Sequence, residues 1–408
     1  MRELTVGIIG AGTAGPAAAA FLARDGHHVT LFEQASPLRP VGAGLLLQPT
    51  GLAVLDDLGL KERMLGLGHR IDRLSGCNQD GTAVLGLLYN ELGDGFFGLA
   101  VHRGALFESL MSVLDPMGVC VRAGVRIGSL HHTSTGVTLR SSTGESFGPF
   151  DLVVIADGAR SSLRDEAGIR TMATPHPWGA MWCVLPRTDD HFDHTLVQHY
   201  EGTGRMLGFL PIGKASSGPE GVESIAVFWS IPVTERSTFL EAGCNAWHRA
   251  ASALCPHAAP MFAHVSHTDQ FIFANYSDVH TPEPWLGRIV VLGDAAHATS
   301  PQLGQGANLA LIDARELATA VDESPSLADA AAMYAASRRR HLRFYRWASR
   351  LLTPWFQSSM ESLAPVRDAV FPIAARVPWV RQQMALSLAG VKDGLFSRRP
   401  LKVPSSAP

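Results

Sequence analysis

Apolar residues fall along this chain in two textures. The first consists of short runs with almost no polar break: Leu4-Thr-Val-Gly-Ile-Ile9, His28-Val-Thr-Leu-Phe32, Asp151-Leu-Val-Val-Ile-Ala156 and Arg288-Ile-Val-Val-Leu292. A strand covered on both faces needs no polar side, so these runs predict buried parallel strands. Helical spacing accompanies them. An alanine-rich helix runs to about Asp25, another passes through Leu55 and Leu58, and a third carries Leu106, Leu110 and Val113. A fourth starts near Ala307 with Leu309, Leu311, Ile312, Ala314 and Leu317. The second texture fills residues 178–232. There, short alternating or apolar runs (178–185, 195–200, 205–212, 223–231) are separated by Gly, Pro, Asp and Ser clusters, the pattern of a mostly antiparallel sheet. Residues 71–100 read as a polar, glycine-broken excursion. Beyond Ser326 the pattern is helical, with short helices punctuated by Pro365, Pro372 and Pro378 and a frayed Val403–Pro408.

The buried-strand texture stops after Ala156 and resumes only at residue 288, so the parallel-sheet domain is discontinuous. The expected architecture is α/β, with residues 1–70, 101–170 and 285–325 in the nucleotide-binding domain. Residues 71–100 and 171–284 form an inserted antiparallel β-sheet domain for substrate, and 326–408 a C-terminal helical segment.

Chemistry sits where the strands end. Ile9 runs into Gly10-Ala-Gly12-Thr-Ala-Gly15. The first glycine permits a tight turn, the second lets a pyrophosphate approach, and the third lets helix pack on strand. The next strand ends at Glu33, about 20 residues on, where a carboxylate accepts from a ribose hydroxyl. An acid there suits an adenosine ribose without a 2′-phosphate. Arg39-Pro-Val-Gly42-Ala-Gly44-Leu-Leu-Leu-Gln-Pro49 is a second glycine-bearing loop, and Ala156 leads into Asp157-Gly158. Leu292 leads into Gly293-Asp294-Ala-Ala-His297-Ala-Thr-Ser-Pro301-Gln-Leu-Gly304-Gln-Gly306-Ala307-Asn308. This loop delivers a carboxylate to a helix N-terminus. Free N–H groups and roughly half a positive charge there suit a ligand region that is, or becomes, anionic.

Composition narrows the reading without redirecting it. With 408 residues, 46% hydrophobic and 17% charged, and a net charge of −3, the chain is an ordinary globular enzyme with no expected nucleic-acid partner. Cys77, Cys120, Cys183, Cys244 and Cys255 are odd in number, scattered and without a CxxC pair, which predicts reduced thiols in a cytoplasmic, soluble protein. No run of 18 apolar residues exists, so no transmembrane segment is expected. The basic stretch Arg338–Arg346 is read as a solvated helix face in preference to a membrane-surface element. Asp190-His191-Phe-Asp193-His194 is read as a solvated turn, with no metal expected, because no further ligand lies near in sequence.

Taken in order, Gly10-x-Gly12-x-x-Gly15, Asp157-Gly158 and Gly293-Asp294 with its Pro301/Gly304/Gly306 loop resemble the single-component (group A) FAD-dependent aromatic hydroxylases, the para-hydroxybenzoate hydroxylase-like enzymes. The resemblance covers about residues 1–325 and implies a Rossmann-like FAD-binding domain. It places FAD on Gly10, Gly12, Ala14, Gly15 and Glu33, with Arg103 beside the phosphate and ribityl chain and Asp294 on the ribityl hydroxyls. Asp157 matches the motif for both FAD and NAD(P)H, and Gly42, Ala43 and Gly44 match the loop beside the ring. Pro301 falls on the substrate side. From there the loop passes Gly304 to Gly306, Ala307 and Asn308, whose backbone N–H groups meet the pyrimidine edge. One departure is Ile312, where many members carry a Glu before the counterpart of Asp313.

The implied cycle uses NADH or NADPH as a transient co-substrate, since no second dinucleotide motif occurs, and O2. A flavin hydroperoxide at carbon 4a then hydroxylates an aromatic or electron-rich small molecule. Trp182, Tyr200, Phe209 and Phe228 are the candidate substrate wall, His199 (with Pro301) the candidate catalytic group, and His297 a loop organiser. Competing readings are a flavin-dependent halogenase, suggested by Phe228-Trp-Ser-Ile-Pro232 but lacking the first Trp of that signature, and an epoxidising or Baeyer–Villiger enzyme. A non-catalytic escort on the same fold is the reading from another class. Monomer and homodimer both remain open.

Overall fold

A computed structural model describes residues 3–38, 42–188, 190–214 and 222–400. Arg39, Pro40 and Val41 of the second glycine loop and the Val403–Pro408 end lie outside the described residues. The uninterrupted apolar runs assemble into one six-stranded sheet, ordered Trp285–Leu286, Ile289–Val291, Leu152–Ile155, Thr5–Ile9, His28–Glu33, Cys120–Ala123. Its neighbours run parallel except the first pair. Val6 and Ile8 pack under the helices Ala14–Arg24 and Gly306–Glu323. Ile9, Val153 and Ile155 meet a small antiparallel sheet of Ile127–His132, Val137–Ser141 and Ser146–Phe150 on the other face. Burial on both sides is why these strands show no polar alternation.

The second texture becomes a seven-stranded sheet, ordered Ile272–His280, Met172–Pro186, Glu223–Pro232, Arg205–Lys214, Thr195–Glu201, Arg73–Asn78, Ala83–Leu88. It is antiparallel except where Thr195–Glu201 lies parallel to Arg73–Asn78. The excursion at 71–100 therefore contributes two strands. Its Gly76 reads as a break but serves packing, since a Cβ there would lie 2.7 Å from the Tyr200 ring; in the strand Arg205–Lys214, a Cβ on Gly208 would likewise collide with Phe228. A third antiparallel unit, Gly44–Leu47, Gly98–His102 and His69–Ile71, ties the two large sheets together.

Three helices, Leu327–Phe356, Leu363–Ala374 and Pro378–Leu388, close the described chain. Ser326 caps the first by accepting from Asp329 N at 3.2 Å. The solvated-face reading of Arg338–Arg346 fails at two positions. Arg338 and His341 are each only 1% exposed. Tertiary pairing overrides the sequence pattern, because Asp313 on the neighbouring helix neutralises Arg338 at 2.7 Å. Among the described residues no helix is long and apolar enough to cross a membrane.

Candidate active site

A cavity of about 1110 Å³ runs from the carboxyl ends of the parallel strands to the seven-stranded sheet. Open α/β sheets bind ligands outside those strand ends, and this volume exceeds the usual span of small-molecule sites. Gly10, at φ 103°, turns so tightly that a Cβ would lie 2.5 Å from Ala156 O. A Cβ on Gly15 would collide with Gly10 O, so Gly15 packs behind the turn and does not line the cavity. Around Gly12 a Cβ would meet nothing within 4 Å, which leaves open space at the cavity wall. Glu33 also lines the cavity. Its carboxylate accepts from Ala11 N at 2.8 Å and Ala35 N at 2.9 Å, so the acid holds the glycine turn in shape.

The far motif closes the same space. Gly293 adopts φ 58°, and a Cβ there would sit 3.0 Å from Ala14 Cβ, so glycine lets this strand end settle against the N-terminal helix. Asp294 follows at once and faces the start of the Gly306–Glu323 helix, with Oδ1 3.8 Å from where a Gly306 Cβ would stand. Pro301, Gly304, Gly306 and Ala307 line the cavity beside it. Asn308 lies behind. It accepts from Gln48 N at 2.8 Å and donates to Leu46 O and Gly304 O at 3.1 Å each, clamping the second glycine loop to the helix start. Gly42, Ala43 and Gly44 of that loop line the cavity with Arg103, whose backbone N donates to Ala43 O at 2.8 Å. Asp157 completes the rim. Burial pushes its carboxyl up, against the pull of a Ser161 hydrogen bond and the Arg164 charge. Arg126 joins the same end and was not singled out from sequence, because no motif marks it.

The other end is aromatic. Trp182, Tyr200 and Phe228 line it, with Trp182 and Phe228 rings 4.7 Å apart. Tyr276 is an addition: its hydroxyl accepts from Trp182 Nε1 at 3.4 Å, and burial pushes its phenol up to about 12. Alternation of Ile272, Ala274 and Tyr276 along one strand is the signal that could have found it. Two expectations are corrected. His199 and Phe209 are absent from the wall, because side chains alternate along a strand and these two point to the opposite face. His199 sits 3.3 Å from Cys77 Sγ, and burial lowers its pKa. Phe209 stacks between Phe192 and Phe262 in the core behind the sheet.

Behind the loop from Gly293 to Asn308 lies a buried polar chain. His297 Nε2 donates to Asp313 Oδ2 at 2.5 Å, Gly293 N donates to the same oxygen at 2.9 Å, and Arg338 Nε donates to Oδ1 at 2.7 Å. Arg338 also donates to His341 Nδ1 at 2.6 Å, and His341 donates to Gly390 O at 2.7 Å. Burial opposes ionisation of Asp313, yet the His297 and Arg338 charges hold its carboxyl well below the usual range. His297 is thereby tied to the helix Gly306–Glu323 through Asp313. The Asp193 turn gains an unforeseen neighbour in His69, 2.8 Å from Asp193 Oδ1, but Arg187 already stands 3.2 Å from that same oxygen.

The residues present fit FAD. A glycine turn opens space for a pyrophosphate, an acid ends the second strand, and a helix N-terminus faces the cavity. Among the described residues, the buried Gln48 Nε2 at the cavity wall has no hydrogen-bond partner. Comparisons with known proteins agree. The FAD binding domain family matches residues 3–348. The 2-heptyl-3-hydroxy-4(1H)-quinolone synthase of Pseudomonas aeruginosa is 30% identical over 86% of this chain and 90% of its own. The 6-hydroxynicotinate 3-monooxygenase of Bordetella bronchiseptica is 27% identical over 81% and 85%. The fold matches Klebsiella pneumoniae HpxO, solved with FAD and uric acid, at a TM-score of 0.79 and 20% identity over 94% of this chain and 97% of that one. The chain belongs to the FAD binding domain family and is a flavoprotein monooxygenase of the aromatic-hydroxylase group.

Proposed function

We propose that this monooxygenase hydroxylates an uncharged, electron-rich aromatic ring held against the seven-stranded sheet. One observation carries the reading: among the described residues, that sheet contributes no Asp, Glu, Lys, Arg or His to the cavity wall. An unpaired carboxylate moved into such a wall costs several kcal/mol. Among the relatives, the quinolone synthase is named for a neutral bicycle and the nicotinate monooxygenase for a carboxylated ring. The uncharged wall sides with the former.

In this reading Gly10, Gly12 and Glu33 hold the pyrophosphate and adenosine end of FAD, and Arg103 and Asp294 the ribityl region. Bound FAD supplies hydride acceptance from NAD(P)H and activation of O2. Gly306 and Ala307 would set the helix N-terminus beside the flavin, where its positive end would favour negative charge by up to about 2 kcal/mol. Pro301 shapes the substrate side, and Trp182 and Phe228 sandwich or flank the ring. Neutral Tyr276 is placed to donate to a ring oxygen. The experiment is NAD(P)H oxidation by the FAD-loaded protein against paired rings with and without a carboxylate, with peroxide quantified and product mass read. Stimulation and a one-oxygen mass gain with the neutral members support the reading. Preference for the carboxylated members defeats it.

A further inference from the structure

The cavity has an unusual mouth. Trp347, Leu351, Trp379, Leu395 and Phe396 all line it, yet they are 49%, 52%, 54%, 58% and 85% exposed. Large apolar side chains clustered at an opening, on three separate segments, exceed the scattered exposure normal for a monomer surface. The outer side of the Leu363–Ala374 helix adds Val366, Val370 and Ile373, spaced i, i+4, i+7 and each close to half exposed or more. The inner side of that helix is the buried Ala364 and Arg367 with the half-buried Phe371, so this stripe is not a core face turned outward by chance.

Charge decides what covers this surface. Residues 327–400 hold twelve Lys and Arg against four Asp and Glu, within a chain whose net charge is −3. The cations stand beside the apolar anchors. Arg343, Arg346 and Arg350 flank Trp347 on one helix, Arg376 precedes Trp379, and Arg398 follows Phe396. Arg350 pairs with Asp278 and Arg381 with Glu91, while Arg343, Arg376 and Arg398 are exposed with no carboxylate within 4.0 Å among the described residues. A second copy of the chain would bring the same basic surface against itself. Aromatic anchors ringed by arginines suit the interface of a bilayer with anionic headgroups.

We propose that the C-terminal helices dock this cavity mouth onto an anionic membrane surface, so that a neutral lipophilic substrate enters from the lipid. The docking stands on the surface alone, while the substrate route rests on the monooxygenase reading above. The test is co-sedimentation of the full FAD-loaded chain with phosphatidylglycerol vesicles and with pure phosphatidylcholine vesicles, at low and high salt. The expected result is binding to the anionic vesicles, weakened at least tenfold by high salt or by charge reversal in R343E/R376E. Binding should weaken comparably in W379S/F396S, with bound FAD absorbance unchanged as proof of folding. Wild-type protein that ignores anionic vesicles at low salt overturns the proposal, as does binding that survives both double variants. Concentration-dependent dimers abolished by W379S/F396S would assign the surface to a second copy and also overturn it. Vesicle binding together with NAD(P)H oxidation stimulated by carboxylated rings in preference to neutral ones would leave the docking intact and sink the neutral-ring reading instead.

Discussion

A carboxylate at a helix start can be a reagent or a holder, and the surroundings of Asp294 favour the holder. It faces the beginning of the Gly306–Glu323 helix, beside Gly306 and Ala307, at the end of the cavity away from the aromatic wall. Asp294→Ala is expected to weaken FAD binding by about 10- to 100-fold, the usual worth of a charge-assisted hydrogen bond, read by titrating apoprotein with FAD. Unchanged affinity and turnover would remove Asp294 from the cofactor site. His199→Gln is expected to leave turnover within about twofold, since mutations away from the reacting groups act only through stability. A steep loss of kcat with FAD content intact would restore His199 as an acid–base group. The two residues differ in legibility for a physical reason. Asp294 follows a strand-ending glycine, a position that backbone geometry defines. His199 lies mid-strand, where a shift of one residue exchanges cavity for core.

At the scale of elements, the loop from Gly293 and its helix work as one unit because Asp313 reaches back to both. It accepts from Gly293 N and His297 and pairs with Arg338 on the next helix. Removing one member of a buried pair costs about 3–5 kcal/mol, so Asp313→Asn should lower the denaturant midpoint markedly and loosen FAD retention. The pH dependence follows from the sign of the shift. Asp313 is held below its ordinary 3.8, so its stabilisation is complete above that value and is lost as pH falls through the lower folded one. Wild-type unfolding free energy should therefore fall on acidification below pH 3.8 with a steeper slope than that of Asp313→Asn. Equal slopes would show that other carboxylates govern the acid limb. The helix from Ala307 was legible in its apolar period, and Ile312 is only 2% exposed in its core. The buried Arg338 was not, because its arginine-rich neighbourhood reads as surface until the partner across the helix interface is known.

Across the whole molecule, the site exists where separately folded layers meet. Gly44 stands at that junction, where a Cβ would lie 2.7 Å from Ile212 and 2.8 Å from Ala226. Gly44→Val is expected to cost about 1–3 kcal/mol by overpacking and to impair FAD retention and substrate stimulation together, measured by thermal unfolding and NAD(P)H oxidation. Loss of one function alone would show that the two halves of the cavity are not coupled through this contact. The sequence by itself determined the parallel sheet, the glycine turn with Glu33, the Asp157 and Asp294 strand ends, and membership of a flavin-binding group. Each of these is a local rule of backbone geometry or strand burial, written within a few residues. Only tertiary structure decided which strand faces line the cavity, how the two strands within residues 71–100 pair into the large sheet, and that Arg338 is buried. It also decided that the C-terminal helices leave an apolar, basic mouth. Those outcomes depend on register and on partners in other elements, such as Asp313 for Arg338 and the strand Thr195–Glu201 for Arg73–Asn78, and no local pattern encodes a side chain's neighbour in another element.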